Sequence, residues 1–533
     1  MTATEQALTK ALESLTKVNE AQGRTIAELT LRLKEVTGQL AWFQRQMFGR
    51  RSEKNLPDMG PNLFDAAGVE IPGAEAQAPQ DADDTTEPDS GKKQRRKSKN
   101  TRQTWENLPV LETRTIEPHG VDMNRYRRIG EERSYIVECE PGKLYRVEIV
   151  RPQYGLIDST EPVERGKGVV IAPMPLLPIP KGIPGPGFLT EILLQKFEYH
   201  VPFYRQIKQL AHMGMEGVKE ATMVGWYQRT MELLRPVYNA LVAEIMKSDY
   251  CQADETTTPV MNKEKHQTDK EYLWMVRAVM EKLVAFFYDD GSRAGEVIKD
   301  LTDEHHFKGY LQCDGYTGYT AAYKPGSGVV LVNCLVHIRR YFRDALDENR
   351  KAATWFLDKI KALYHIEHEC DAAGMDFVQR KEQRLLRSKP IMDEMKQWME
   401  TEGIYYSERT LIGKAVTYAY NRWNNMMNIL KDGRLLLDNN LAENEIRPIT
   451  LGRKNYLFCG NHESAEDMCV ITSLLSTCRN HNINPRMYLN SIIGAMPKFA
   501  KATQEEISML LPHKWKKYHP EAIMTTTVRE MAK

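Results

Sequence analysis

The sequence predicts a multidomain α+β protein centred on a mixed sheet, and three observations carry that prediction. The chain has 533 residues, more than one hydrophobic core accommodates, so several domains are expected. Beyond Ser248 the pattern changes to short β-type runs, YCQAD, YLWMVRAV and LVAFFYDD, then a helical stretch from Ser292, then GYLQCD and VVLVNCLV. The heptad periodicity is confined to the first fifty or so residues, well separated from those strands.

Composition narrows the possibilities. The 73 basic and 72 acidic residues nearly cancel, so no global field advertises a polyanionic partner and any such role must rest on local clusters. The eight cysteines are scattered without a CxxC pair, which favours reduced thiols over a disulfide framework or a zinc ribbon. The N-terminus, MTATEQALTK, has no apolar signal core, and no run approaches the roughly 18 to 20 apolar residues that span a bilayer. A cytoplasmic protein without a membrane partner is expected.

Within residues 1–54, Ile26, Leu29, Leu33, Val36, Leu40, Phe43 and Met47 follow at alternating steps of three and four, a heptad seam that predicts a coiled coil and self-association. It ends in the basic tip FGRRSEK, which suits either a phosphate contact or a soluble helix end. Residues 55–104 are rich in Pro, Asp and Ala and turn basic at Lys92, Lys93, Arg95, Arg96, Lys97 and Lys99, a disordered linker whose basic run is either a solvated tail or a non-specific DNA contact. Residues 105–160 read as a small β module, with a hairpin between Glu131 and Tyr154 broken at Pro141 and Gly142. Residues 161–247 hold a Pro-studded connector, Pro173 to Pro186, and two helical patterns, Val201 to Met213 and Glu220 to Met246, turned at Gly214 and Gly217. This is a helix-turn-helix-like arrangement, in which Tyr204, Arg205 and Lys208, with Trp226, Gln228 and Arg229, face DNA or merely pack.

Three strands, a helix and two further strands is the order of an RNase H-like core, assigned to residues 248–345 and 431–480 with a helical insertion at 346–430. Residues 481–533 add a helix containing Tyr488, Leu489, Ile492 and Ile493 and a polar tail with KWKKYHP. Asp254 ends the first strand and Asp314 the fourth, and a mixed sheet brings such strand ends to one edge. The stretch DNNLAENEIRPITLGRKNYLFCG, Asp438 to Gly460, supplies a third acidic contribution. Asp438 is placed to cap a helix that ends at Arg447, before Pro448, with Asn440, Glu443 and Arg447 sharing one face. Spacing leaves Glu443 and Glu445 both open as the third carboxylate. Arg447, Arg453 and Lys454 are placed to bind flanking phosphates, and Tyr456 and Phe458 to fill a core. Three carboxylates crowded together require a neutralising cation, and oxygen ligands select Mg²⁺ or Mn²⁺; two such ions suit phosphodiester chemistry.

The stretches FGRRSEK, QADETTTPV, LQCDGYTGY, CLVHIRR and NNLAENEIRPITLGRKNYLFCG, in this order and followed by NPRMYLNSII and LLPHKW, resemble the transposases of the insertion-sequence 66 family, the TnpC type, across nearly the whole chain. The resemblance implies a DDE enzyme with Asp254, Asp314 and Glu443 as the triad holding two ions, and the register before IRP selects Glu443 over Glu445. It further implies binding of the element's DNA ends and target DNA, cleavage at the 3′ ends, transfer of the freed hydroxyls, a bacterial nucleoid setting, and small accessory proteins of the same element. Family members usually carry a cysteine-rich zinc module; here EPHGVDMNRYRRIGEERSYIVEC retains only Cys139, so no zinc is expected there. Cys334 and His337 form a CxxH pair before Arg339 and Arg340, similar to the family pattern. Half a zinc site reads as packing for Cys334, an active-site neighbour in His337, and phosphate contacts for the two arginines. Two rivals remain: an RNase H-fold nuclease or resolvase, and an inactivated transposase that only binds DNA.

Overall fold

The structure is a computed structural model that describes residues 176–324 and 326–524, together with Leu144 and two short strands, β1 (Gln153–Gly155) and β2 (Val169–Ile171). The expected coiled coil, the linker and most of the expected hairpin lie outside the described residues. By contacts the chain divides into two units, Gly73–Ala172 and the rest. In the first, β1 and β2 pair antiparallel with Tyr154 opposite Val170. That places a strand at residues where the helical region was expected to have begun; the triplet VVI is β-branched throughout and suits a pleated backbone.

The larger unit is mixed α+β. It opens with three helices, α1 (Pro186–Phe197), α2 (Phe203–His212) and α3 (Glu220–Ile245). Helix α1 falls outside the two expected helical patterns. It buries Leu189, Thr190, Ile192, Leu193, Leu194 and Phe197, so it is apolar around most of its circumference and shows no amphipathic stripe. The α2–α3 turn uses Gly214 and Gly217, both at positive φ, as the sequence suggests. Tyr204, Arg205, Lys208 and Arg229 are exposed, but Trp226 is buried with its ring 5.6 Å from that of Phe188, so packing claims it.

The sheet holds β3 (Tyr250–Asn262), β4 (Gln267–Ala278), β5 (Leu283–Phe287), β6 (Gly309–Cys313) and β7 (Val329–Asn333) in the order β5-β4-β3-β6-β7. The first three are antiparallel and β3, β6 and β7 run parallel. Helix α4 (Gly295–Glu304) connects β5 to β6, and α5 (Thr317–Ala322) follows β6. Asp254 does not end its strand: β3 runs eight residues further because TTTPVMN continues the antiparallel pairing with β4. VVLVNCLV is likewise not strand throughout; β7 stops at Asn333, and Cys334 caps helix α6 (Leu335–Asp344).

Alternation within the strands divides the core. Cys251, Ala253, Leu311, Cys313 and Leu331 contribute to one apolar cluster, shared with α1, α3 and helix α12 (His462–Asn480). Tyr250 and Val332 point into the other, built with α6 and the insertion helices α7 (Arg350–Ala372), α9 (Lys389–Thr401) and α10 (Leu411–Met426), while α8 (Phe377–Gln383) buries none of its residues. Helix α12 also satisfies the free edge of β5, since Ser473 Oγ accepts the Phe286 N–H at 2.8 Å and Thr477 Oγ1 that of Val284 at 3.2 Å.

Helix α11 (Asn440–Tyr456) lies against β3 and β4 and does not stop at Arg447. Proline removes one N–H donor, but Ala442, Ile446, Ile449 and Gly452 keep one face buried across Pro448, and that packing outweighs the lost bond. Helix α13 (Pro485–Ala495) buries Tyr488, Leu489, Ile492 and Ile493 as expected. Tyr456 packs at the core margin, whereas Phe458, expected in the core, is 40% exposed beyond the positive-φ Leu457 that ends α11. Among the described residues no helix is long and apolar enough to cross a membrane.

Candidate active site

The site begins with a register. On the parallel pair β3 and β6, Gln252 lies opposite Gln312, and this is the last matched position. Asp254 stands two residues further on within β3, on the face that carries Gln252, and Asp314, expected to end its strand, is the first residue past the end of β6. Neighbouring strands are about 4.8 Å apart, which makes the two carboxylates neighbours.

The glutamines position the third contributor. Gln252 Nε2 donates to Gln312 Oε1 at 2.9 Å and to the Asp438 carbonyl at 3.1 Å, and Gln312 Nε2 donates to the Leu436 carbonyl at 2.7 Å. The Leu335 N–H bonds the Leu437 carbonyl at 2.9 Å. Asn439 closes the lattice: its N–H donates to Cys334 Sγ at 3.3 Å and its Nδ2 to the Ala253 carbonyl at 3.1 Å. The stretch before α11 is thus stapled across the ends of β3, β6 and β7, and Glu443 follows in the first turn of α11. Asp438 serves this frame; its Oδ1 accepts the Asn440 N–H at 3.1 Å and its Oδ2 the Tyr364 hydroxyl at 2.9 Å, while Asn439 holds the N-cap position.

Charge links these carboxylates at longer range. Burial and the charges of Glu255, Asp314 and Glu443 push the Asp254 carboxyl well above the usual carboxylate range. Burial also raises Glu443, against the pull of Arg340 and Arg447. Glu443 Oε1 is buried without a hydrogen-bond partner among the described residues. The charges of Asp314 and Glu443 reach Asp254, and oxygen donors of this kind suit a hard divalent cation, but among the described residues the donors drawn within 4.8 Å of one another are those of Cys334, His337 and Glu443, not the three carboxylates. His337 stands beside them with Nε2 3.9 Å from Glu443 Oε1, and burial together with Arg340 pushes its imidazole down to about 4.

Glu445 is engaged elsewhere. It is buried in an ion pair with Arg277 on β4 and accepts from Asn480 Nδ2 at 2.9 Å. Of the expected phosphate contacts, Arg340 on α6 and the exposed Arg447 lie close enough to act on the Glu443 charge. Arg339 is partly buried on α6, Lys454 is exposed on the last turn of α11, and Arg453 is engaged, its Nη1 donating to Thr257 Oγ1 at 2.9 Å.

Sequence reasoning missed the residues that aim this site. The Gln-x-Asp spacing occurs at both aspartates and was a visible signal for Gln252 and Gln312. Glu255, which turns to the opposite face and accepts from Arg293 Nη2 at 2.7 Å and the Tyr319 hydroxyl at 3.2 Å, had none. Nor had Arg422 of the insertion, whose Nε donates to the Gly315 carbonyl at 3.1 Å and pins the turn after Asp314. A Cβ at Gly315 would meet that guanidinium at 1.8 Å, so the approach requires glycine.

The chain is similar to several known proteins. An uncharacterised protein, y4hP, of Sinorhizobium fredii (strain NBRC 101917 / NGR234) is 25% identical over 511 residues, 90% of this chain and 88% of its own. Another from the same organism, y4qI, also uncharacterised, is 30% identical over 410 residues, 74% of this chain and 72% of its own. A family model described as the transposase C of IS166 homeodomain matches residues 35–113, which lie outside the described residues, and that of the IS66 transposase family matches residues 181–467, which contain Asp254, Asp314 and Glu443. The chain belongs to the IS66 family of transposases.

Proposed function

We propose that the chain is a DDE DNA transposase with an RNase H-like core, which binds the ends of its insertion sequence, cleaves phosphodiester bonds there and transfers the 3′-hydroxyl ends to target DNA. The observation that supports the reading is the Gln252–Gln312 register, two residues before Asp254 and Asp314, together with the action of the Asp314 and Glu443 charges on Asp254. The strand order, three antiparallel strands followed by two parallel ones, supports the RNase H-like assignment.

In this reading Asp254, Asp314 and Glu443 hold two Mg²⁺ or Mn²⁺ ions. Such ions, if bound, would supply Lewis-acid activation of an oxygen nucleophile and charge stabilisation at the leaving oxygen of a phosphodiester. The protein's own groups do the rest. Asn439, the two glutamines and Arg422 fix the carboxylates before substrate arrives, so little reorganisation is left to the reaction. Arg340 and Arg447 offer charge-assisted bonds to non-bridging phosphate oxygens. His337, neutral under ordinary conditions, supplies a donor or acceptor without adding charge. DNA is further gripped by the exposed Tyr204, Arg205 and Lys208 of α2, and the N-terminal heptads join protomers into an oligomer that holds two ends, assisted by small proteins of the same element.

The test incubates the full chain with labelled element-end DNA, a target plasmid and Mg²⁺, with the element's accessory proteins present, and compares wild type with Asp254→Asn. Nicking and joining by wild type alone is expected. Binding without nicking refutes the enzymatic reading in favour of a DNA-binding repressor, nicking without joining supports a nuclease or resolvase instead, and an active Asp254→Asn protein removes the triad.

A further inference from the structure

The CxxH pair, half of a metal site in the sequence, receives a third donor from the fold. Cys334 caps α6, His337 lies in its first turn, and Glu443 arrives from α11. One donor atom from each lies within 4.8 Å of the others. Glu443 Oε1 is buried and lacks a hydrogen-bond partner among the described residues, an unsatisfied acceptor that a ligand would relieve. Cys334 Sγ already accepts the Asn439 N–H, and such outer contacts orient and tune a metal-bound thiolate.

We propose that Cys334, His337 and Glu443 form a second cation site, selective for a thiophilic ion such as Zn²⁺, and that its occupation holds Glu443 apart from Asp254 and Asp314 and silences the catalytic centre. Sulfur, imidazole nitrogen and carboxylate oxygen are a zinc donor set, whereas Mg²⁺ takes oxygen ligands and leaves thiolate and imidazole aside. Tetrahedral coordination at about 2.0–2.3 Å sets donors roughly 3.3–3.7 Å apart. His337 Nε2 and Glu443 Oε1, at 3.9 Å, are close to that already. On binding, the Cys334 thiol releases its proton to solvent and coordinates as thiolate, which leaves a fourth position for water. The silencing rests on the catalytic reading above; the binding does not.

The experiment uses the full chain freed of metal, with Co²⁺ and Zn²⁺ as probes. Co²⁺ is expected to produce a thiolate charge-transfer absorption in the near ultraviolet that Zn²⁺ abolishes. The band should be absent from Cys334→Ser, and Zn²⁺ affinity should fall at least ~10-fold in His337→Gln, while Asp254→Asn binds as wild type does. Circular dichroism checks the fold, and if Cys334→Ser fails to fold, His337→Gln and Glu443→Gln decide by their Zn²⁺ affinities. A wild-type protein without the band, or a band that survives Cys334→Ser, overturns the site. Stoichiometric Zn²⁺ is expected to depress Mg²⁺-dependent nicking by wild type, and undiminished nicking by the zinc-loaded protein overturns the silencing. Cation binding by a protein that never nicks refutes the catalytic reading alone.

Discussion

Exchanging Glu445 for Gln and Glu443 for Gln should damage the protein in opposite ways, although the two residues are separated by a single position. Glu445 and Arg277 are an ion pair with side chains only 10% and 6% exposed. Removing one charge from a buried pair strands the other and costs about 3–5 kcal/mol. Glutamine is isosteric and keeps an oxygen for Asn480, so the lower end, ~3 kcal/mol, is expected for Glu445→Gln. At an unfolding entropy of ~2.1 cal/mol/K per residue, a unit of this size should lose roughly 4 °C of melting temperature. Glu443 has no such partner and an unengaged buried oxygen, so Glu443→Gln should leave the metal-free protein at least as stable as wild type. Its nicking activity should instead fall by at least ~100-fold. Thermal unfolding by circular dichroism and a nicking assay at a temperature where every variant is folded separate the two effects. Abolished nicking in a fully stable Glu445→Gln protein, with activity retained in Glu443→Gln, would refute the assignment of roles. A further check is Arg277→Met with Glu445→Leu, which should recover most of the lost stability because apolar packing replaces a buried pair at little cost.

Other perturbations give equally definite expectations. Asn439→Ala leaves the Ala253 carbonyl without its partner, so it should cost about 1–3 kcal/mol in chemical denaturation and depress nicking disproportionately as Glu443 loses its aim. Arg340→Ala should weaken binding to element-end DNA and lower the slope of log affinity against log salt by about one unit, measured by fluorescence anisotropy. Asp467, half of a contact with Arg235 at 2.9 Å, has its carboxyl pushed up to about 7 from 3.8 by burial, which outweighs that arginine. The native state then binds a proton that the unfolded chain releases, so this carboxyl destabilises the protein above pH 7 and the penalty fades as pH falls toward 3.8. Asp467→Asn should therefore unfold at a higher temperature than wild type at pH 8, with the difference shrinking through pH 5.

The strands of the sheet and the helical insertion were legible in the sequence because each rests on local pattern, alternation for β3 to β7 and a helical composition for the insertion, and the acidic positions proposed for the site stand out through the residue runs around them. What failed locally did so for physical reasons. Helix α1 is buried nearly all round and lacks a stripe, Pro448 is carried through a helix by packing on both sides of it, and Phe458 is exposed because Leu457 turns the backbone to positive φ. The choice between Glu443 and Glu445 lay beyond periodicity altogether, since it depends on Arg277 and Asn480, residues from β4 and α12 that only tertiary packing brings to one of the two carboxylates. The sequence by itself determined which residue types were available for chemistry and, through resemblance, which family they belong to. The tertiary structure decided their company: two glutamines matched across parallel strands, an asparagine bonded to both β3 and Cys334, and a lone CxxH pair completed by Glu443. Such contacts join parts of the chain far apart in sequence, and no local preference encodes them.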